Sequence, residues 1–194
     1  MTSGVAGIVL AAGSGTRMGR PKGLVRTADG TPWVGRAVAA LQGGGCAPIL
    51  VVVGAAADQV SALVPDAAEV VVAADWSEGM SASLRAGLRA LVDRSPAGPA
   101  VIITLVDTPG VTPETVARLH RLAGSAGPAV LARAGYDGVP GHPVLIGREH
   151  WAGVIEAAVG DAGARGYLAG RPDVVLVESA DVGSGEDVDT PEDL

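Results

Sequence analysis

The sequence predicts an α/β fold in three layers (α/β/α), with helices on both faces of a mostly parallel, Rossmann-like sheet. Strand-sized apolar runs alternate with helical patterns from one end of the chain to the other. Continuous apolar strands that are separated by helices are typical of parallel sheets buried on both faces. No long linker, composition shift or internal repeat divides the 194 residues, so we expect one domain over residues 1–194.

The first half of the chain is expected to supply three strands and two helices. The strands are predicted where apolar residues are continuous, over residues 5–11, 49–53 and 70–73. One helix is predicted over residues 31–41, because its apolar residues recur at helical spacing and Gly43 follows as a stop signal. The leucines of residues 81–92 share one helix face and predict the second helix.

The second half begins with a buried strand that is predicted over residues 100–106. A helix is expected to start at Thr112, which is a favourable N-cap residue, with Pro113 at the first helical position. Shorter apolar runs predict three more strands, over residues 129–132, 143–146 and 174–177.

Ligands of such sheets bind beyond the carboxyl ends of the strands. Three polar segments are expected at that edge: residues 13–22 after the first strand, Asp107 after the strand of residues 100–106, and residues 187–189. These segments are therefore the candidates for chemistry.

Composition excludes several classes of protein. A net charge of −7 and 3% aromatic residues argue against a nucleic-acid or anionic-membrane partner, which requires a basic face. The apolar runs are too short to span a membrane, and no basic-then-apolar leader opens the chain. The single cysteine, Cys46, excludes an internal disulfide and is expected to be a small buried side chain. These features together predict a cytoplasmic enzyme.

The segment at residues 10–22 reads Leu-Ala-Ala-Gly-Ser-Gly-Thr-Arg-Met-Gly-Arg-Pro-Lys and combines glycines with three cations. Glycines let the backbone approach a ligand, and successive N–H groups form anion-binding concavities. The dinucleotide fingerprint does not fit, because Met18 stands where its third glycine belongs and no acidic residue follows the strand of residues 49–53. The P-loop motif does not fit either, because Lys22 lies between proline and glycine. The segment predicts a third kind of phosphate loop.

Lys22 is the single lysine of the chain, beside thirteen arginines. An ammonium is a compact point charge and a guanidinium is a planar fork, so the two are not interchangeable. A functional role is therefore expected for Lys22, and the alternative for both Lys22 and Arg17 is an ordinary surface cation.

The loop resembles the signature loop of the nucleotidyltransferases that include the sugar-phosphate enzymes and the molybdenum cofactor guanylyl- and cytidylyltransferases. Within this group, the chain is most similar to the molybdenum cofactor cytidylyltransferases. The supporting segments are Glu-Gly-Met-Ser-Ala-Ser-Leu-Arg-Ala-Gly-Leu at residues 78–88, Val-Asp-Thr-Pro at 106–109, Gly-Val-Pro-Gly-His-Pro at 138–143, Gly-Asp-Ala-Gly-Ala-Arg at 160–165 and Asp-Val-Asp-Thr-Pro-Glu-Asp-Leu at 187–194.

The resemblance implies a nucleotide-diphospho-sugar transferase-like fold and a Mg²⁺-dependent reaction. In that reaction CMP passes from CTP to the molybdopterin (molybdenum) cofactor and pyrophosphate is released. It also implies that the partners are a nucleoside triphosphate, a molybdopterin-type acceptor and, transiently, a molybdoenzyme or its chaperone.

Site residues follow from the same resemblance. Nucleotidyl transfer builds charge on oxygens that already repel one another, so it requires fixed cations and carboxylates that hold a metal. Catalysis is assigned to Arg17, Lys22 and Asp107, and Mg²⁺ binding to Asp107, Asp187 and Asp189. The alternatives are a turn cap for Asp107 and a solvated acidic tail for the other two aspartates.

Nucleotide contacts are expected from the loop and from residues near the helix start at residue 81, where a helix N-terminus favours an anion or a ribose hydroxyl. The residues are Leu10, Ala11, Ala12, Gly13, Ser14, Gly15, Asp75, Ser81 and Ser83. Plain helix capping explains one of the serines equally well. His142 is expected on the acceptor side, and the alternative is a hydrogen-bonded turn histidine.

Three rival functions remain open. One is a transferase of the same superfamily that uses GTP or a sugar phosphate. Another is an NAD(P)H-dependent oxidoreductase on a similar fold, against which the broken dinucleotide fingerprint counts. The third is a nucleotide-binding protein without catalysis, against which the joint presence of Arg17, Lys22, Asp107 and Asp187 counts.

Overall fold

A computed structural model describes residues 4–94 and 98–193. Within these residues, seven strands form one mixed sheet. They are β1 (Ala6–Ala11), β2 (Ile49–Val53), β3 (Glu69–Val72), β4 (Ala100–Leu105), β5 (Leu131–Tyr136), β6 (Val139–Gly147) and β7 (Val174–Glu178). The spatial order is β3-β2-β1-β4-β6-β5-β7, and β6 alone of these runs antiparallel to its neighbours. The predicted mostly parallel sheet is confirmed. Residues 1–3, on which part of the expectation about a leader rests, lie outside the described residues.

Helices cover both faces of the sheet, which confirms the predicted three layers. They are α1 (Trp33–Gly43), α2 (Ala57–Ser61), α3 (Met80–Val92), α4 (Pro113–Ala126), α5 (Trp151–Ala157) and α6 (Arg165–Leu168). One core joins α1, α2 and α4 to the sheet, and a second joins α3, α5 and α6 to the opposite face. None of the helices in the two described ranges is both long and apolar enough to cross a membrane.

The side chains of β1 point alternately to the two helix layers. Ile8 and Leu10 belong to the core on the α3 side, and Val9 and Ala11 to the core on the α1 side. All four are buried, as expected of a strand with side chains pointing alternately to two covered faces. Leu10 consequently faces the α3 side of the sheet, one residue before β1 ends at Ala11.

The start of α4 confirms the predicted N-cap. The Thr112 hydroxyl accepts a hydrogen bond from the backbone N–H of Thr115 at 3.2 Å and donates one to the carbonyl of Val182 at 2.9 Å. Pro113 occupies the first turn, where its missing N–H costs no hydrogen bond. The cap therefore also ties the carboxyl-terminal segment to the carboxyl edge of the sheet.

Strands β5 and β6 are longer than predicted. They form a hairpin whose turn residues Asp137 and Gly138 have φ of 52° and 79°, the combination that a tight two-residue hairpin turn requires. Pro140 and Pro143 break the apolar pattern of β6, but β6 pairs with β4 only from Val144 onwards, so both prolines lie outside the doubly paired part. The short helices α2, α5 and α6 were not predicted, because four to seven residues barely express a helical period.

Candidate active site

A pocket of about 580 Å³ lies at the carboxyl edge of the sheet, on the α3 side. The loop after β1, the end of β4, the start of α3 and the carboxyl-terminal segment surround it. Its walls are formed by Leu10, Ala12, Gly13, Ser14, Gly15, Thr16, Arg17, Lys22, Trp76, Ser77, Gly79, Met80, Ser83, Leu105, Val106, Asp107, Asp161 and Asp189. The three polar segments expected at this edge thus meet in one cavity.

The loop after β1 is shaped by a glycine that no other residue replaces without strain. Gly15 has φ of +63°, and a Cβ there would lie 1.9 Å from the carbonyl oxygen of Arg20. The backbone folds back on itself at this point, which brings Arg17 and Lys22 to the pocket. Ala11 differs from the other predicted nucleotide contacts of the loop, because its side chain faces the α1 layer and does not line the cavity.

Lys22 lies between two carboxylates. Its Nζ donates to Asp107 Oδ2 at 2.7 Å and to Asp189 Oδ1 at 2.5 Å. Arg17 Nη1 lies 2.7 Å from the other oxygen of Asp189. Burial acts to lower the pKa of Lys22, but the hydrogen bonds and charges of the two carboxylates outweigh it and hold that pKa above its ordinary value. The ammonium is therefore charged at neutral pH, and Asp189 forms ion pairs with both predicted catalytic cations.

Asp187 lies near this cluster without contacting Lys22. Desolvation, followed by the negative charges of Asp107 and Asp189, raises the pKa of the Asp187 carboxyl, and Lys22 opposes the shift. The backbone N–H of Val188 donates to the Asp107 carbonyl at 2.9 Å, which fixes Asp187 and Asp189 beside the end of β4. Three carboxylates consequently converge on a region that holds two cations, Lys22 and Arg17.

The carboxylate oxygens of this cluster are suitable ligands for a hard divalent cation such as Mg²⁺. Asp107 Oδ1 is buried and has no hydrogen-bond partner, so one lone-pair face of this carboxylate is left unsatisfied. No group of three or more His, Cys, Asp or Glu side chains in residues 4–94 and 98–193 forms a ready-made metal cage. Mg²⁺ does not require one, since it binds through one or two carboxylates together with substrate phosphates and water.

Ser81 and Ser83 have different surroundings at the start of α3. Ser83 lines the pocket. Ser81 is fully buried, its N–H donates to the Gly160 carbonyl at 2.9 Å, and its hydroxyl accepts from the Gly163 N–H at 3.1 Å. This placement differs from the predicted nucleotide contact, because the Ser81 hydroxyl joins α3 to the segment that precedes α6.

Asp161 belongs to the pocket and was not predicted. Its Oδ1 accepts from the Met80 N–H at 3.2 Å, at the N-terminus of α3. The contact is close because Gly79 has φ of +110°, and a Cβ there would lie 2.4 Å from the same oxygen. The separate segments 78–88 and 160–165 thus interlock, and no spacing rule in the sequence reveals this pairing. The turn around Gly79 also brings three neighbouring side chains to the pocket wall, those of Trp76, Ser77 and Met80.

Asp75 lies outside the pocket wall. Arg85 Nη2 lies 3.1 Å from Asp75 Oδ2 and 3.0 Å from Glu78 Oε2, and Arg85 Nη1 donates to the Ala158 carbonyl at 2.9 Å. The side chain is engaged in a network that braces α3 against α5, which differs from the predicted contact with base or ribose.

His142 lies one strand beyond Asp107, near the start of β6. Burial, aided by the positive charge of Arg133 and opposed by Asp107, lowers the pKa of His142 to about 4. The imidazole is therefore neutral at pH 7. The Tyr136 hydroxyl donates to the His142 carbonyl at 2.7 Å, which fixes the backbone of this hairpin. His142 is not part of the pocket wall.

Comparisons with known proteins agree with this fold. Residues 7–175 match the family model described as the MobA-like NTP transferase domain. The chain is 36% identical to nicotine blue oxidoreductase of Paenarthrobacter nicotinovorans, covering 98% of this chain and 94% of that protein. The crystal structure of Rv0371c from Mycobacterium tuberculosis H37Rv is similar, with a TM-score of 0.78 and 28% identity over 100% of this chain and 96% of that one. The structure of Rv0371c in complex with manganese is similar too, with a TM-score of 0.77 and 28% identity over 98% and 96% of the two chains.

Proposed function

Because the chain belongs to the MobA-like NTP transferase family, we propose that it is a Mg²⁺-dependent nucleotidyltransferase that transfers CMP from CTP to the molybdopterin cofactor. The observation that carries the proposal is the pocket in which Arg17, Lys22 and Asp107 meet beside a glycine-rich loop. In this reaction an acceptor phosphate oxygen attacks the α-phosphorus of CTP. The bond from that phosphorus to the bridging oxygen of the β-phosphate breaks, and pyrophosphate leaves.

The side chains of the pocket have distinct roles in this proposal. When CTP binds, Lys22 and Arg17 release Asp189 and contact the phosphate oxygens instead. There they stabilise the charge that develops at the α-phosphorus. Asp107, with its unpaired Oδ1, and Asp187 beside it would hold Mg²⁺. The ion, when bound, neutralises and orients the triphosphate. The manganese complex of Rv0371c supports a divalent ion in this fold.

The direct test is product formation. The protein is incubated with CTP, Mg²⁺ and molybdenum cofactor, and released pyrophosphate is measured together with the CMP that joins the acceptor. We expect equal amounts of the two products, and neither when the acceptor is omitted. Pyrophosphate release that does not require the acceptor would contradict a transferase.

CTP is the expected nucleotide, on the strength of the resemblance to the cytidylyltransferases. We expect kcat/KM for CTP to exceed that for GTP by about tenfold or more, the discrimination that a few pocket contacts supply. Steady-state kinetics with each nucleotide at fixed acceptor and Mg²⁺ measures this. A preference for GTP of the same size would contradict the assignment of CTP as substrate. The proposal that the protein is a nucleotidyltransferase would still stand.

Asp189→Asn is expected to tighten metal-free CTP binding by about threefold, because the ion pair of Asp189 with the exposed Arg17 is worth under about 1 kcal/mol. The physical reason is that Asp189 competes with phosphate oxygens for both Arg17 and Lys22. Calorimetric titration with CTP in the presence of a chelator measures it. Asp181→Asn is the matched control, since Asp181 pairs with Arg118 instead. Unchanged or weaker binding by Asp189→Asn would show that the carboxylate does not compete with the triphosphate.

A second candidate function is that of an NAD(P)H-dependent oxidoreductase. It is favoured by one observation, the 36% identity to a protein named as an oxidoreductase. The loop at residues 10–22 lacks the dinucleotide fingerprint, which counts against it. Calorimetric titrations with CTP, GTP and NADPH, with and without Mg²⁺, separate the two candidates. Binding of NADPH but of neither triphosphate would overturn the proposed transferase.

A further inference from the structure

Asp161 is the aspartate of the pocket wall that has no cationic partner. The described residues supply three aspartates to the wall, Asp107, Asp161 and Asp189. Lys22 forms ion pairs with Asp107 and Asp189, whereas no lysine, arginine or histidine of residues 4–94 and 98–193 forms one with Asp161. An unpaired carboxylate repels a triphosphate, so it favours nucleotide binding only where another part of the ligand donates a hydrogen bond to it.

The Asp161 carboxylate is held in place by the first turn of α3. Its Oδ1 accepts from the Met80 N–H at 3.2 Å, and the carbonyl of the preceding residue, Gly160, accepts from the Ser81 N–H at 2.9 Å. These are the first two N–H groups of α3, which a helix leaves without partners inside itself. Because both are satisfied and a carboxylate lies beside them, this helix N-terminus is a poor site for a phosphate.

The two parts of the pocket therefore suit different parts of a nucleotide. Arg17 and Lys22 are the two cations among the described wall residues, and both contact Asp189. The wall at the start of α3 is formed instead by Trp76 and Met80, whose apolar side chains offer contact area to a flat base. A nucleoside triphosphate whose phosphates lie on the two cations extends its ribose and base toward α3.

We propose that Asp161 selects the nucleobase, because its free Oδ2 accepts a hydrogen bond from the exocyclic amino group of cytosine. Oδ1 is engaged by Met80, and an ionised carboxylate accepts hydrogen bonds but donates none. The base is the part of the nucleotide farthest from the phosphates, so the carboxylate is repelled least there. Uracil has a carbonyl oxygen in place of the amino group, which the carboxylate repels. The selection of CTP over UTP rests on the proposed function for the identity of the nucleotide.

Asp161→Asn changes the free atom and keeps the contact with α3. The amide retains an oxygen for the Met80 N–H, and asparagine caps helices as well as aspartate does. Its NH₂ group replaces the free acceptor by a donor, which suits the uracil carbonyl. We expect the wild type to bind CTP about tenfold or more tightly than UTP, the difference that one hydrogen bond to a charged group supplies. Asp161→Asn should lose or reverse this preference.

The measurement is calorimetric titration of wild type and variants with CTP and with UTP, in the presence of Mg²⁺. Glu78→Gln is the matched control, because Glu78 is an exposed acid of the same turn that pairs with Arg85 and lies outside the pocket wall. It should keep the wild-type preference. If Asp161→Asn weakened CTP and UTP binding equally, the carboxylate would serve the ribose or the fold of α3, and the selection of the base would be overturned.

The outcomes also separate base selection from the proposed function. A preference for CTP that Asp161→Asn abolishes supports base selection, even if no CMP is ever transferred. Transfer of CMP by a wild type that binds CTP and UTP equally would overturn base selection and leave the transferase standing. Binding of neither nucleotide by the wild type would overturn both.

Discussion

Replacement of Lys22 by alanine is expected to lower kcat by about 10²-fold or more, the usual loss when one preorganised donor to the transition state is removed. Lys22 is held by Asp107 and Asp189 at 2.7 and 2.5 Å, so its ammonium is positioned before any substrate binds. The measurement is kcat at saturating CTP, acceptor and Mg²⁺. Arg26→Ala is the control, because Arg26 is an exposed cation four residues away that binds the Gly30 carbonyl.

Lys22→Arg distinguishes a positioned point charge from mere positive charge. We expect it to rescue activity poorly, because a planar fork does not fit where a compact ammonium lies between two carboxylates. Full activity of Lys22→Arg would show that the single lysine of the chain has no special role.

The cation–carboxylate cluster was predictable because it obeys a rule of topology. Lys22 follows β1, Asp107 follows β4, and Asp189 lies far along the chain, yet the carboxyl ends of parallel strands share one edge of the sheet. The apolar periodicity that places these strands is visible in the sequence. The rule does not predict which carboxylate each cation contacts. The sequence predicted the same role for Asp187 and Asp189, and in the structure it is Asp189 that contacts both Lys22 and Arg17.

The start of α3 contains tertiary contacts that the sequence does not predict. Ser81 and Ser83 are equivalent as polar residues near a helix N-terminus, and the sequence contains no signal that separates them. The difference arises from a tertiary contact, because the segment 160–165 packs on Ser81 and brings Asp161 to Met80. Such a contact depends on the hairpin of β5 and β6 and on the short helices α5 and α6. Strands β5 and β6 were predicted only in part, and the helices α5 and α6 were not predicted, because their apolar periods are too short or too broken.

Loss of Asp107 should abolish Mg²⁺-dependent turnover and leave metal-free nucleotide binding little changed. Asp107 Oδ1 is buried without a partner, so it is the oxygen of this cluster that most requires a cation. Removal of the carboxylate also deletes a negative charge beside the triphosphate, so metal-free binding should, if anything, tighten. Asp187→Ala should behave in the same way, because the negative charges of Asp107 and Asp189 already act on its carboxyl.

The double variant Asp107→Ala/Asp187→Ala decides whether these carboxylates serve one ion. If they share one Mg²⁺, the double variant should lose little more than the worse single variant, because residues that act as a unit are not additive. The measurement is turnover against Mg²⁺ concentration for both single variants and the double. Glu186→Gln is the control, since Glu186 is an exposed acid in the same segment and lies outside the pocket wall. Losses that multiply, or an unchanged Mg²⁺ dependence in Asp107→Ala, would mean that Asp107 and Asp187 do not form a single metal site.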